Sequence, residues 1–177
     1  MNINMNDIFE FYELRIKSHV AAVNYFASLL GYHFPEHDGD KVKEPIRTGY
    51  AYIFYKTYHK NFHATPEHES LCRDAINLHH FAATHHIQHY KHVSEIPLVN
   101  VYEMVADWAS ANFEQKNIIQ DPGAIEIETW FQNKMANQGW TNEQMDIINK
   151  SFEIIRKNTD AEYVTSIWAP LLEKADL

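Results

Sequence analysis

Apolar side chains recur at helical spacing along most of this chain. Over residues 5–30, Ile8, Phe9, Tyr12, Ile16, Val20, Val23, Phe26 and Leu30 fall near one stripe, and Gly31 supplies a C-terminal stop. Residues 31–45, GYHFPEHDGDKVKEP, are rich in turn formers and charge and predict a loop with at most a short helical turn. A second helix is expected from Ile46 to Phe62, and a third after Pro66, where PEHES places acids in a first turn. A break near Thr84 is the preferred reading of that third segment. Pro97 opens a helix through about Gln115, and DPG at 121–123 separates it from the next. Thr141 and Gln144 stand at capping-box spacing ahead of a stripe of Met145, Ile148, Phe152 and Ile155. A last helix covers roughly 161–174. With no internal repeat and no credible linker, the pattern predicts one all-α domain of six or seven helices, larger than a four-helix bundle.

Composition supports that reading. Hydrophobic residues make up 45% of 177, with only five glycines and six prolines, so helix breakers are few. Cys72 is the single cysteine, which rules out an internal disulfide. The first residues, MNINMNDIFEFYELRIK, lack the basic and apolar runs of a secretory signal, and a cytoplasmic location is expected. No run of apolar residues is long enough to suggest a membrane span.

Charge narrows the function classes. The net charge of −9 lies almost wholly in residues 93–177, where six basic residues face fourteen acidic ones. Extended nucleic-acid binding needs phosphate neutralisation by clustered Lys and Arg, which this chain lacks. A small anion remains compatible with the nearly neutral first half.

The candidate chemistry starts with HFPEHDGDKVKE, residues 33–44. A His-Asp pair such as His37-Asp38 is expected by chance roughly 0.6 times in a chain of this composition, and roughly 0.04 times once a Lys three residues later is required. Imidazole and carboxylate both coordinate first-row cations, a carboxylate can bridge two of them, and the Lys41 ammonium can hold a phosphate oxygen. His19 lies at the core-facing edge of the first helix, among Ile16, Val20 and Val23. Arg15 stands one turn before it on the same face, an arrangement that makes sense if an anion binds there. Asp107 flanks the stripe of Val101, Met104, Val105 and Trp108, and a carboxylate in such a place is costly unless paired or metal-bound. Glu103, one turn earlier, is a candidate outer partner. Each of these residues taken alone is more often structural than functional. The segment HHFAATHHIQHY, residues 79–90, adds five histidines in twelve positions. His59 and His63, four apart, are rivals; His68, His89 and His92 read as a solvated stripe.

In this order, His19, then His37-Asp38, then the histidine cluster, then Asp107, the chain resembles the HD superfamily of metal-dependent phosphohydrolases. The stretch from HDGDKVKE through HHFAATHHIQHY to YEMVADW is similar to a family of small bacterial and phage HD-like proteins, which implies no particular activity. The likeness covers about residues 15–110. It implies an HD-like helical domain in which His19, His37, Asp38 and Asp107 hold one metal. Asp38 would bridge to a second metal held within 79–86, with His80 preferred together with His85 or His86. Thr84 departs from the Asn or Pro turn expected ahead of the paired histidines.

The leading expectation is therefore a hydrolase of phosphate esters, including nucleotides. It would use two divalent transition-metal ions (Mn, Fe or Zn), with Lys41 and Arg15 neutralising a small phosphorylated substrate. The same ligands suit an HD-fold di-iron oxygenase. A non-catalytic helical interaction protein is the reading from another class, and a homodimer stays open. Cys72 sits in mid-helix without the features of a nucleophile, and neither a glycine-rich phosphate loop nor a G-x-S-x-G elbow is present.

Overall fold

The computed structural model describes residues 4–176. Seven α-helices follow one another: α1 (Met5–Leu29), α2 (Ile46–Tyr58), α3 (Pro66–Ala82), α4 (Leu98–Phe113), α5 (Ile127–Lys134), α6 (Asn142–Asn158) and α7 (Ala161–Leu172). Among the described residues there is no strand, only an isolated bridge between His59 and Asp176. The chain is thus an all-α protein, and none of its described helices is long and apolar enough to cross a membrane.

α1 is the central element. Its buried face runs from Ile8, Phe11 and Tyr12 through Arg15, Ile16 and His19 to Val23 and Phe26, and α2, α4 and α7 pack around it. The Asn4 side chain caps its start, and Gly31, with φ of +81°, lets the chain turn away after its end. A face this continuous explains why a polar residue on the stripe is carried into the interior.

The sequence reading holds for most of the boundaries. α6 begins with the Thr141–Gln144 capping box, and the Gln144 amide donates to the carbonyls of Val93 and Ile96, tying α6 to the segment before α4. α3 does end ahead of Thr84, with an extended backbone at Ala83. α2, by contrast, stops at Tyr58 rather than Phe62. The His59 ring stacks on Tyr55 with centroids 3.8 Å apart, and its Nδ1 pairs with the Tyr55 carbonyl, so the backbone there is extended.

Gly49 sets how closely α2 and α3 approach. A β-carbon at this site would lie 2.3 Å from the Ala75 side chain and 2.4 Å from the Leu71 carbonyl. That close crossing matters because Ala75 lies one turn before His79 on the buried face of α3.

Candidate metal centre

Four segments deliver side chains to one place. α1 supplies His19; the turn-rich stretch between α1 and α2 supplies His37, Asp38, Asp40 and Lys41; the end of α3 and the break after it supply His79, His85 and His86. α4 supplies Glu103 and Asp107, one turn apart on one face. Asp38 itself has a φ of +60°, a left-handed conformation that Asp tolerates better than most residues. Successive turn hydrogen bonds, Gly39 N–H to the Glu36 carbonyl and Lys41 N–H to the Asp38 carbonyl, hold it there.

Asp38 is the hub, and its two oxygens face different partners. Oδ2 lies 3.3 Å from His19 Nε2, 3.7 Å from His37 Nε2 and 2.8 Å from the Lys41 ammonium. Oδ1 lies 3.3 Å from His79 Nε2 and 3.4 Å from His85 Nε2. Asp107 Oδ1 closes the first group, 3.1 Å from His19 Nε2 and 3.6 Å from His37 Nε2. His86 Nε2 joins the second, 2.8 Å from His79 Nε2.

The far nitrogens of His19, His37, His79 and His85 already have partners. His19 Nδ1 meets the Ser110 hydroxyl at 3.2 Å, and His79 Nδ1 meets Asp40 at 2.9 Å. A single oxygen of Glu103 serves both His37 Nδ1, at 2.9 Å, and His85 Nδ1, at 3.5 Å. Protons held by carboxylates at the Nδ1 atoms of His37, His79 and His85 leave the Nε2 lone pairs of their neutral rings pointing inward, at carboxylate oxygens. Lone pair facing lone pair is unfavourable unless a proton or a cation stands between.

The electrostatics follow from that crowding. Burial opposes ionisation of Asp38, yet Lys41 and His37 outweigh it and hold the carboxyl well below the usual carboxylate range. Asp107 is held down in the same way, burial being overcome by His19 and His37. Burial also opposes charge on His37, but Asp38 and hydrogen bonds to Asp107 and Glu103 push it up to about 10. His86 goes the other way, pushed down to about 2 by burial, so it is neutral.

Groups of ligand-type atoms lying within 4.8 Å of one another are His19–His37–Asp107, His37–Asp38–His85, Asp38–Asp40–His79 and His79–His85–His86. Three atoms at their centre, His37 Nε2, Asp38 Oδ1 and His85 Nε2, are buried and have no hydrogen-bond partner. Buried polar atoms are rarely left so, and three converging ones fit a cation. His37, Asp38 and His85 also line a cavity of about 490 Å³.

Of the residues singled out from sequence, His19, His37, Asp38, His85, His86, Asp107 and Lys41 meet here. Three do not take the expected roles, and Lys41, whose ammonium pairs with Asp38 and lies off the cavity, is one of them. Arg15 is no anion contact: its Nε and Nη2 donate to the two oxygens of Glu114 at 3.1 and 2.5 Å, and Phe54 covers the guanidinium at 3.5 Å. Glu114 faces α1 because a π-helical turn, Glu114–Ile118, extends α4, and the Tyr58 hydroxyl donates to the same carboxylate at 2.7 Å. His80 gives way to His79. α3 stays helical through Ala82, so adjacent residues diverge; His79 is fully buried, whereas the half-buried His80 ring lies against His86, tilted by 36° with centroids 4.3 Å apart. The overlooked signal was the buried face itself, since Cys72, Ala75 and His79 follow one stripe. Asp40 was overlooked as well, although it stands two residues beyond Asp38 in the same motif. The rival His59 bonds to the Tyr55 and Lys174 carbonyls, away from the site, and His63 is exposed.

The model of a family of unknown function, DUF5662, matches residues 9–160. The chain belongs to that family. The matched span takes in every residue of the centre, from His19 to Asp107. No curated protein and no solved structure matches the chain.

Proposed function

We propose that the protein is a metal-dependent phosphohydrolase acting on a phosphate ester through a two-cation centre of the kind the HD superfamily resemblance implies. The observation that carries this reading is the convergence of the Nε2 atoms of His19, His37, His79 and His85 on the carboxylates of Asp38 and Asp107, at 3.1–3.7 Å, with every Nδ1 already partnered. His19, His37 and Asp107 with Asp38 Oδ2 would hold one ion. Asp38 Oδ1 with His79, His85 and His86 would hold the other, so that Asp38 bridges.

A pair of divalent ions supplies Lewis-acid polarisation of a phosphoryl oxygen and a nucleophilic water at neutral pH. The chain's own residues do the positioning. Glu103 and Asp40 fix ring tautomers, Ser110 orients His19, and Lys41 keeps Asp38 ionised through their 2.8 Å contact. Lys41 therefore acts through Asp38, and its ammonium is not among the groups lining the cavity.

The second set, with three imidazoles and one carboxylate oxygen, also suits iron, which favours oxidation by O₂ at a di-iron site as the second reading. The test is metal analysis of protein purified with Mn²⁺, Fe²⁺ and Zn²⁺, followed by assay against phosphomonoesters. One to two ions per chain and phosphate release, both lost in Asp38→Ala, are expected. Full metal content in Asp38→Ala would end the bridging role, and an iron-specific absorbance band without phosphate release would favour the oxygenase.

A further inference from the structure

Beside the metal centre, the cavity of about 490 Å³ has the size of a site for a small molecule. Its inner wall is formed by His37, Asp38 and His85, each more than nine-tenths buried and each holding an unpartnered atom behind that wall. Its outer wall carries His33, Glu36, Asp40 and Glu103, together with Ala82 and Ala83 at the C-terminal end of α3, where the Ala83 carbonyl already accepts from the His86 N–H and the Ala82 carbonyl presents partial negative charge. No Lys or Arg lines it. Lys41 is buried against Asp38, and Arg15 is engaged by Glu114.

Charge balance decides what such a cavity can take. Two divalent ions and Lys41 would just offset Asp38, Asp107, Asp40, Glu103 and Glu36, leaving no positive charge over. A single phosphoryl group can be held by the ions themselves. The further charges of a di- or triphosphate would meet carboxylates and carbonyls in a partly desolvated space. Glu36 is exposed, pairs with no cation among the described residues, and folds back so that Oε2 lies 3.9 Å from where a β-carbon on Gly39 would sit. It is a free carboxylate on the rim of the cavity.

Resting on the two-cation reading for the phosphoryl end, we infer that the substrate is a compact phosphomonoester whose other end carries an ammonium group, read by Glu36 and the end of α3, and that polyphosphates are turned away. Hydrolysis would add the oxygen of water to phosphorus, break the ester P–O bond and give the proton to the leaving alkoxide. The products are an amino alcohol and inorganic phosphate, with no redox partner.

The test uses the full chain loaded with Mn²⁺ and two phosphonates that resist hydrolysis because they have P–C bonds. Aminoethylphosphonate and propylphosphonate have nearly the same shape and differ in their terminal charge. The amine is expected to bind at least about five-fold more tightly than its neutral counterpart and more tightly than pyrophosphate, the size of one favourable ion pair with dipole support. Glu36→Gln should shrink the preference, and Glu36→Lys should reverse it and improve pyrophosphate binding. Equal or weaker binding of the amine, tightest binding of pyrophosphate, no binding of either phosphonate, or a preference that both Glu36 variants leave intact would overturn the inference. Turnover separates it from the hydrolase reading. Amine preference without hydrolysis of O-phosphoethanolamine would sink the hydrolase and keep the charge selection; hydrolysis with no preference over glycerol phosphate would do the reverse.

Discussion

Two buried cation–carboxylate pairs meet α1 one turn apart, one at Arg15 and the other at His19, and they are built in opposite ways. Around Glu114, donors surround the carboxylate: two guanidinium nitrogens of Arg15 and the Tyr58 hydroxyl. Around Asp38 only the Lys41 ammonium is an unambiguous donor, and the remaining neighbours are imidazole Nε2 atoms whose Nδ1 partners leave lone pairs facing in. The first cluster is structural: its carboxylate is saturated by donors, although Arg15 Nη1 is left without a partner. In the second, Lys41 apart, the positive charge is a proton held by His37, which a metal would displace. Burial and charge alone do not distinguish them, because both carboxylates are almost fully buried; the direction of the surrounding donors and lone pairs does.

The sharpest way to break this contrast is to remove each carboxylate. Glu114→Ala strands the Arg15 charge in the interior and should cost about 3–5 kcal/mol of stability, read as a fall in melting temperature of order 10 °C. Metal content per folded chain should stay as in the parent. Loss of metal in Glu114→Ala with an unchanged melting temperature would erase the distinction.

A smaller effect separates two adjacent histidines. His79→Ala should remove one of the two ions, weakening binding by more than the roughly 10- to 100-fold typical of an outer partner. His80→Ala should shift binding by no more than about 0.5 kcal/mol. Equilibrium dialysis against Zn²⁺ measures both, and equal losses would mean that His80 is a ligand after all.

The smallest effect concerns protons. His37, raised from 6.5 to about 10, stabilises the metal-free fold fully below its unfolded value, and this contribution is lost as pH rises through about 10. Metal-free protein should therefore lose stability between those values. A cation binding at pH 8 would displace a proton from His37, making the heat of binding depend on the ionisation heat of the buffer. Buffer-independent heats would show that His37 is already neutral.

Much of the fold was readable because it rests on local rules. The α6 capping box, the glycine after α1 and the break before Thr84 are set by residues within a few positions of each other. His19 and Asp107 were readable for a related reason: each lies at the edge of an apolar stripe, and periodicity says which face a side chain takes. Periodicity does not say what meets that face. Arg15 shares the face of His19, but its partner Glu114 lies 99 residues away and arrives through a π-helical turn that no spacing rule foretells. His79 was legible in principle from Cys72 and Ala75, and the conspicuous doublet His79-His80 drew attention to the wrong member. The role of Glu103 as one oxygen shared by two rings depends on three segments meeting and could not be read from one.

Whether the two oxygens of Asp38 serve two different cations is measured most directly by anomalous diffraction from crystals grown with Mn²⁺. Two anomalous peaks are expected, one beside Oδ2 among His19, His37 and Asp107, the other beside Oδ1 among His79, His85 and His86. Peaks confined to surface carboxylates, or a centre that stays dark under saturating metal, would contradict that arrangement.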